Sequence, residues 1–342
     1  MHIRNPNDDI LKIAIRSIGG TSLPLSEGTR WTRYRYGHLE FSCYGMRMPF
    51  DTPEIIEAAN DKLWSRDVLK KNGLPVVDWT LCDTHKPVKP PGPGTWVVKV
   101  ATGGKKGSGV RAGIQSDEVA LHADALGRFS RFVLLETYIT GRNYRVLVLG
   151  SEVISIVERC TPIICGDGTS TVAELLLLRN NGHLFSYDRS DIADGEEIYV
   201  LSKQGITLNS VLAPGKEVVT SLAVNVSRGA AWQAPSQNTD LAPIIRFCIR
   251  AASTVGLTLA GIDVIDSPTL GVLLLEVNPS PGIVAHTWNP IMNLVDLKCA
   301  QQILCRVLQC LNPGVVPPNI LFDALTHREY SELLKKSTSA SK

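Results

Sequence analysis

The sequence predicts a mixed α+β chain of two or three subdomains, and three observations carry that prediction. At 342 residues it is long enough to bury more than one core. Its apolar runs are short, rich in β-branched residues and punctuated by Gly and Pro, as buried strands are. Capped amphipathic stretches of helical length lie between them. The balance of 35 basic and 33 acidic residues implies neither nucleic acid nor an anionic membrane as partner. No apolar run approaches a membrane span, and the opening MHIRNPNDDI lacks the charged-then-apolar order of a signal peptide. The 8 cysteines form no C-x-x-C pair; they read as reduced packing thiols of a cytoplasmic protein.

Taken in order, Asp8 or Asp9 opens a short helix that Gly19-Gly20 closes, and WTRYRYGHLEFSCY (31–44) alternates as a hairpin around Gly37. Thr52-Pro53 starts a helix pair that ends at Asn72-Gly73. Leu74 to Leu81 reads as a strand, the Pro-rich Lys86 to Gly94 as a linker, and Trp96 to Ala101 as another strand. A helix from Ser116 to Leu126 leads into an antiparallel meander of 132–139, 144–149 and 153–158. Thr169 or Ser170 caps the helix VAELLLLRNN, and 181–216 reads as a long loop or lid. Val218 to Val224 is a strand, and Thr239/Asp240 caps a helix that Gly256 stops. Asn293 to Leu311 is an amphipathic packing helix, and Leu321 to Leu334 a terminal helix before a disordered Ser/Lys tail.

The most informative stretch is LTLAGIDVIDSPTLGVLLLEVNPSPGIVAH (257–286). Two apolar runs joined by a Ser-Pro-Thr turn predict two paired, buried strands. Asp263 interrupts the first, and Glu276 and Asn278 the second, two apart and so facing one side. Singly, each carboxylate reads as a strand-end charge turned to water. Together they make a hard-oxygen set suited to Mg²⁺. Buried carboxylates need a partner, and no Lys or Arg lies between Leu257 and His286, so a metal is the expected one.

Upstream, TGGKKGSG (102–109) is a Gly-rich basic loop. It is either a plain turn or a cover for phosphates, whose oxygens glycine lets the backbone approach. Lys99 on the strand VVKVA either snorkels at an edge or aims at an anion. Glu136 in FVLLETYI is either an edge charge or an acceptor for a base or ribose.

Read together, these pieces resemble the ATP-grasp superfamily of carboxylate–amine ligases over roughly residues 55–290. They are most similar to its cyanophycin-synthetase and glutathione-synthetase-like branch, with D-alanine–D-alanine ligase a more distant likeness. The motifs come in family order: Asn60-Asp-Lys-Leu-Trp-Ser with Asn-Gly-Leu-Pro-Val76, WVVKV (96–100), Gly103 to Gly109, and VLLETYI (133–139). Gly166-Asp-Gly168, Asn225-x-Ser227, Ala260-Gly-Ile-Asp263 and Leu275-Glu-Val-Asn-Pro-Ser-Pro-Gly282 follow.

The resemblance implies an α+β, ATP-grasp fold of two subdomains gripping ATP, with a short N-terminal subdomain at 1–55, a small subdomain at 56–135, a large one at 136–312 and a C-terminal helix and tail at 313–342. It implies ATP contacts from Lys62, Lys99, Gly104, Lys105, Ser108, Gly109, Glu136, Ile139 and Asn143, and two Mg²⁺ (Mn²⁺ able to substitute) on Asp263, Glu276 and Asn278. The implied reaction activates a carboxylate as an acylphosphate and passes it to the amine of an amino acid or small peptide. Positioning and charge neutralisation carry such chemistry.

Where the branch has an arginine four residues before the Asn-x-Ser asparagine, this chain has Ser221; where D-alanine ligases have one before the metal Asp, it has Gly261. Arg228, beside Ser227, or Arg159 is the expected substitute, and Asn143 replaces the acidic ribose ligand. No Mur-ligase-like or glutamate–cysteine ligase region is evident, so a stand-alone ligase is expected over a polymerase; a homodimer is common among similar enzymes, but the sequence itself sets no oligomeric state. The rival readings are a nucleotide-binding scaffold or regulator without ligation, which Ser221 and Gly261 favour, and a kinase-like phosphoryl transfer.

Overall fold

A computed structural model describes residues 6–26, 29–101, 109–181, 195–225, 230–289, 294–315, 325–326, 328–330 and 332–333. Helix α1 (Pro6–Ser17) carries Asp8 and Asp9 in its first turn, where the helix dipole favours them. Strands β1 (Thr21–Pro24), β2 (Trp31–Tyr36) and β3 (Leu39–Tyr44) form an antiparallel sheet, turning at Gly37 with φ 57°. Helix α2 (Pro53–Asn60) starts on its proline, and α3 (Lys62–Lys71) is capped by Asp61, whose Oδ1 accepts from the backbone N–H groups of Leu63 and Trp64.

Strands β4 (Trp79–Asp83), β5 (Thr95–Val100) and β6 (Val110–Gln115), then helix α4 (Val119–Gly127) and β7 (Phe132–Thr137), build a sheet in the order β4-β7-β5-β6. The core of this unit joins Val98, Ile114, Val133 and Leu135 to Val119, Ala123 and Leu126 of α4. Strands β8 (Arg142–Leu149), β9 (Glu152–Arg159) and β10 (Ile163–Cys165) follow, then α5 (Val172–Asn181), α6 (Gly195–Lys203) and β11 (Glu217–Val219), which pairs with β10. Thr171 and Glu174 cap α5 reciprocally, a capping box one residue beyond the expected Thr169 or Ser170.

Next come β12 (Trp232–Gln233), α7 (Ala242–Val255), β13 (Leu259–Ser267) and β14 (Gly271–Asn278), which complete a five-stranded sheet ordered β12-β9-β8-β13-β14. Helix α8 (Val284–Thr287), β15 (Trp288–Asn289), β16 (Leu294–Val295), α9 (Lys298–Leu311) and β17 (Leu325–Thr326) end the described chain, apart from helical residues 328–330 and 332–333. No helix among the described residues is long and apolar enough to cross a membrane.

The five-stranded sheet positions the site because its two faces differ. One face presents Tyr144, Val146, Val148, Ala260 and Ile262 to Ile244, Cys248 and Ala251 of α7 and to Leu69 of α3. On the other face Leu147, Leu149 and Leu259 join α1 and α9 through Ile10, Leu11, Ile303 and Leu304. Each fully buried Leu or Ile of this kind contributes about 1.5–3 kcal/mol. The same face turns polar further along these strands, and there the candidate site lies.

Several elements depart from the sequence expectation. The meander divides: β7 is buried on both faces, so it sits inside the smaller sheet between β4 and β5 and does not pair with β8. The expected strand at Leu74 begins only at Trp79, because Pro75 has no N–H; the segment instead meets Leu274 by a single bridge at Val76. The expected lid contains α6, and the expected strand at 218–224 stops at Val219. The C-terminal packing helix starts at Lys298, behind β16.

Candidate active site

Strands β13 and β14 pair so that Asp263 lies directly opposite Glu276, and Gly261 opposite Asn278. Strict alternation puts all four positions on one face. Across β13, Asp263 also faces Arg145 of β8, and Asn143 of β8 faces Arg159 of β9. Strand register alone thus assembles two carboxylates, two amides and two guanidinium groups.

Arg145 donates to Asp263 Oδ1 through Nε and to Oδ2 through Nη2 at 2.7 Å, and Arg159 Nη1 adds a bond to Oδ2 at 3.2 Å. Burial opposes ionisation of Asp263, but the two arginines outweigh it and hold its carboxyl below the usual range. This corrects the argument that only a metal could partner a buried Asp263: the partners come from β8 and β9, far away in sequence. Glu276 is more open, 34% exposed at its side chain, with Lys62 Nζ 3.4 Å away. The Asn278 amide donates to the Gly261 carbonyl at 3.4 Å. Among the described residues no group of three or more His, Cys, Asp or Glu side chains forms a metal cluster, so the expected donor set depends on the Asn278 oxygen.

Three buried polar atoms close by, Arg159 Nε, Ser280 Oγ and His286 Nε2, have no hydrogen-bond partner among the described residues. Native structures rarely leave such groups unsatisfied, and a bound ligand is a common reason. His286 Nδ1 lies 2.8 Å from Ser155 Oγ. Burial, then repulsion from Arg145 and Arg159, pushes the imidazole down to about 3. Its folded pKa lies below the unfolded one, so the neutral ring stabilises the fold above about pH 6.5, and this is lost as pH falls toward 3. In the metal-free protein, NMR should show the His286 ring resonances not titrating between pH 5 and 8; a midpoint near 6.5 would contradict this.

On the nucleotide side, Lys99 Nζ lies 2.5 Å from Glu136 Oε1, and Arg66 Nη1 reaches the same oxygen at 2.5 Å. Glu136 is therefore no edge charge: it is buried and, despite that burial, kept ionised by Lys99 and Arg66. Lys99 does not snorkel into solvent; burial lowers it to about 8, with Glu136 opposing. Ile139 packs on Val77, Ile265 and Leu273, and the half-buried Asn143 donates to the Gly141 carbonyl at 3.4 Å. Gly109 takes φ 80°, and an added Cβ would stand 2.8 Å from Val100 Cγ2. Gly104, Lys105, Ser108, Ser227 and Arg228 lie outside the described residues.

Sequence reasoning missed Arg145, Arg66 and His286. Arg145 was legible in principle, as a charge two residues after Asn143 on an apolar strand. Arg66 sits one helical turn beyond Lys62, on the same face of α3. The two departures from the family pattern acquire a physical reading. A Cβ on Gly261 would meet Pro281 Cβ at 2.7 Å and Arg145 Nη1 at 3.4 Å, so Arg145 fills the space a side chain at 261 would enter. Ser221 is fully buried, 2.6 Å from Glu196 Oε2, while Glu196 Oε1 accepts from the backbone of Leu222 and Ala223.

No family model matches the chain. A cyanophycin synthetase of Synechocystis sp. is 30% identical over 292 residues, covering 79% of this chain and 32% of the relative. The glutathione biosynthesis bifunctional protein GshAB of Mannheimia succiniciproducens is 27% identical over 286 residues, or 78% of this chain and 37% of that protein. The chain thus spans about a third of the length of these curated relatives. Its fold is similar to the crystal structure of a bifunctional glutathione synthetase from Pasteurella multocida, with a TM-score of 0.55, 19% identity, and coverage of 90% of this chain and 44% of the other.

Proposed function

Because this chain belongs to the ATP-grasp superfamily, in its cyanophycin-synthetase and glutathione-synthetase-like branch, we propose that it is an ATP- and Mg²⁺-dependent ligase that joins a carboxylate to an amine. The observation that carries this reading is the shared sheet face on which Asp263, Glu276 and Asn278 meet Lys62, Arg145 and Arg159. Hard oxygen donors of this kind fit Mg²⁺. Both Asp263 oxygens already take guanidinium bonds, but a carboxylate offers about four lone-pair sites and can share. Asp263, Glu276 and Asn278 would hold one or two Mg²⁺ (or Mn²⁺), whose positive charge would offset that of the nucleotide phosphates.

The chain's own residues supply the rest. Lys62 and Lys99 neutralise the phosphates, with Ile139 at the base and Asn143 at the ribose. Attack of the substrate carboxylate on the γ-phosphate forms an acylphosphate and releases ADP; attack by the amine then forms the amide and expels phosphate. Arg159, with its unpartnered Nε, and Arg145 stabilise the negative charge that develops. Arg228 and Ser227 remain part of the proposal on the strength of the motif alone. The amine donor is an amino acid or small peptide, the class that the relatives' names suggest. Arg145 beside Gly261 supports ligation over the scaffold reading, because a guanidinium group stands where that reading expects none.

Incubation with ATP, Mg²⁺ and a panel of amino-acid pairs tests the proposal. Equal release of ADP and phosphate, with an amide by mass spectrometry, is the expected result. No ADP with any pair would favour the scaffold, and ADP without phosphate but with a phosphoester would favour the kinase-like reading.

A further inference from the structure

Two cationic side chains converge on one carboxylate oxygen where the two larger sheets approach each other. Arg66 Nη1 and Lys99 Nζ each lie 2.5 Å from Glu136 Oε1, while Arg66 Nη2 donates to the Leu275 carbonyl at 2.7 Å. Arg66 thus reaches from α3 to β7 of the four-stranded sheet and to β14 of the five-stranded one, beside Glu276. Side-chain exposures are 1% for Arg66, 5% for Glu136 and 12% for Lys99, so this is a buried cluster with its lysine nearest solvent.

A buried carboxylate that loses its only cation is left uncompensated, at high cost. If Lys99 were the sole partner of Glu136, it could not turn toward a phosphate without stranding that charge. Arg66 removes the conflict. We propose that Arg66 is a positioning residue for nucleotide binding: it holds Glu136 in Lys99's place, which frees Lys99 to engage nucleotide phosphate. The proposal rests on the nucleotide site of the ligase reading. Its Leu275 bond further ties this exchange to the strand that carries Glu276, and the guanidinium is fixed 5.7 Å over the Trp79 ring.

The groups acting on Lys99 are Glu136 from β7, which favours its charge, and Arg66 and Lys62 from α3, which oppose it; burial opposes it most, and the result is about 8. Mg²⁺ with the non-hydrolysable analogue AMPPNP is the probe, and calorimetry from pH 6.5 to 9.5 the readout. Wild-type affinity is expected to fall as pH rises through about 8, as Lys99 loses its proton. Arg66→Met should weaken binding about tenfold or more. It should also move the fall to higher pH, because a repelling charge is gone. Arg66→Lys should bind nearly as the wild type does, since an ammonium at position 66 can still hold the Glu136 carboxylate.

Wild-type affinity and an unchanged pH midpoint in Arg66→Met would overturn the proposal and leave the nucleotide site standing. So would Arg66→Lys binding no better than Arg66→Met. If Arg66→Met does not fold, Arg66→Lys decides alone, the proposal failing if it binds tenfold worse than wild type. No binding by the wild type would instead remove the nucleotide site, and the ligase reading with it.

Discussion

Glu276→Ala should abolish ADP formation and leave the fold almost untouched, whereas Asp263→Ala should abolish it and destabilise the protein severely. The difference lies in what each carboxylate balances. Glu276 is 34% exposed and faces Lys62 across 3.4 Å, a contact worth about 0–1 kcal/mol. Asp263 sits between Arg145 and Arg159, whose side chains are only 14% and 15% exposed. Removing it leaves two buried like charges, at a cost of roughly 3–5 kcal/mol, a large share of the roughly 5–15 kcal/mol that holds a typical domain together. Because Asp263's carboxyl is lowered by those arginines, its contribution is fully present above about pH 4 and lost as pH falls further. Urea unfolding at pH 7 and an ADP-release assay on both variants check this. Substantial turnover in both would remove the metal assignment, and equal stability would remove the charge-balance account.

Arg145→Ala is expected to lower amide formation by about 10²–10³ while nucleotide affinity stays within about threefold, the effect of losing a donor aimed at developing charge. Arg145 faces Asp263 in the strand register and stands next to the space above Gly261. The nucleotide lysines come from α3 and β5, so its loss should not reach them directly. Arg145→Lys should rescue little, because an ammonium cannot reproduce a guanidinium fork spanning both Asp263 oxygens. Turnover with a substrate pair from the panel, set against calorimetric affinity for Mg²⁺–AMPPNP, separates the two quantities. Wild-type turnover would reduce Arg145 to a counter-ion of Asp263.

The two-strand unit at 257–278 was legible because its signals agree: β-branched runs, a Pro turn, and polar residues two apart. Strand alternation then placed Glu276 with Asn278, and the structure adds Asp263 in direct register with Glu276. The charge partners of Asp263 were not legible, because pairing across β8 and β9 is non-local and no periodicity within a strand reports its neighbours. Glu136 misled for a related reason: its strand looks like part of a meander with 144–149, yet burial on both faces puts it inside another sheet beside Lys99. The helix start at Pro53 and the helix stop at Gly256 were readable because such end signals are local, set within a few residues.

Titration of AMPPNP into the wild-type protein, with and without Mg²⁺, tests most directly whether Asp263, Glu276 and Asn278 form a magnesium–nucleotide site. Saturable binding that requires Mg²⁺, disappears with EDTA and is lost in Glu276→Ala is the result this account predicts. Absence of binding, or binding of equal strength without the cation, would contradict it.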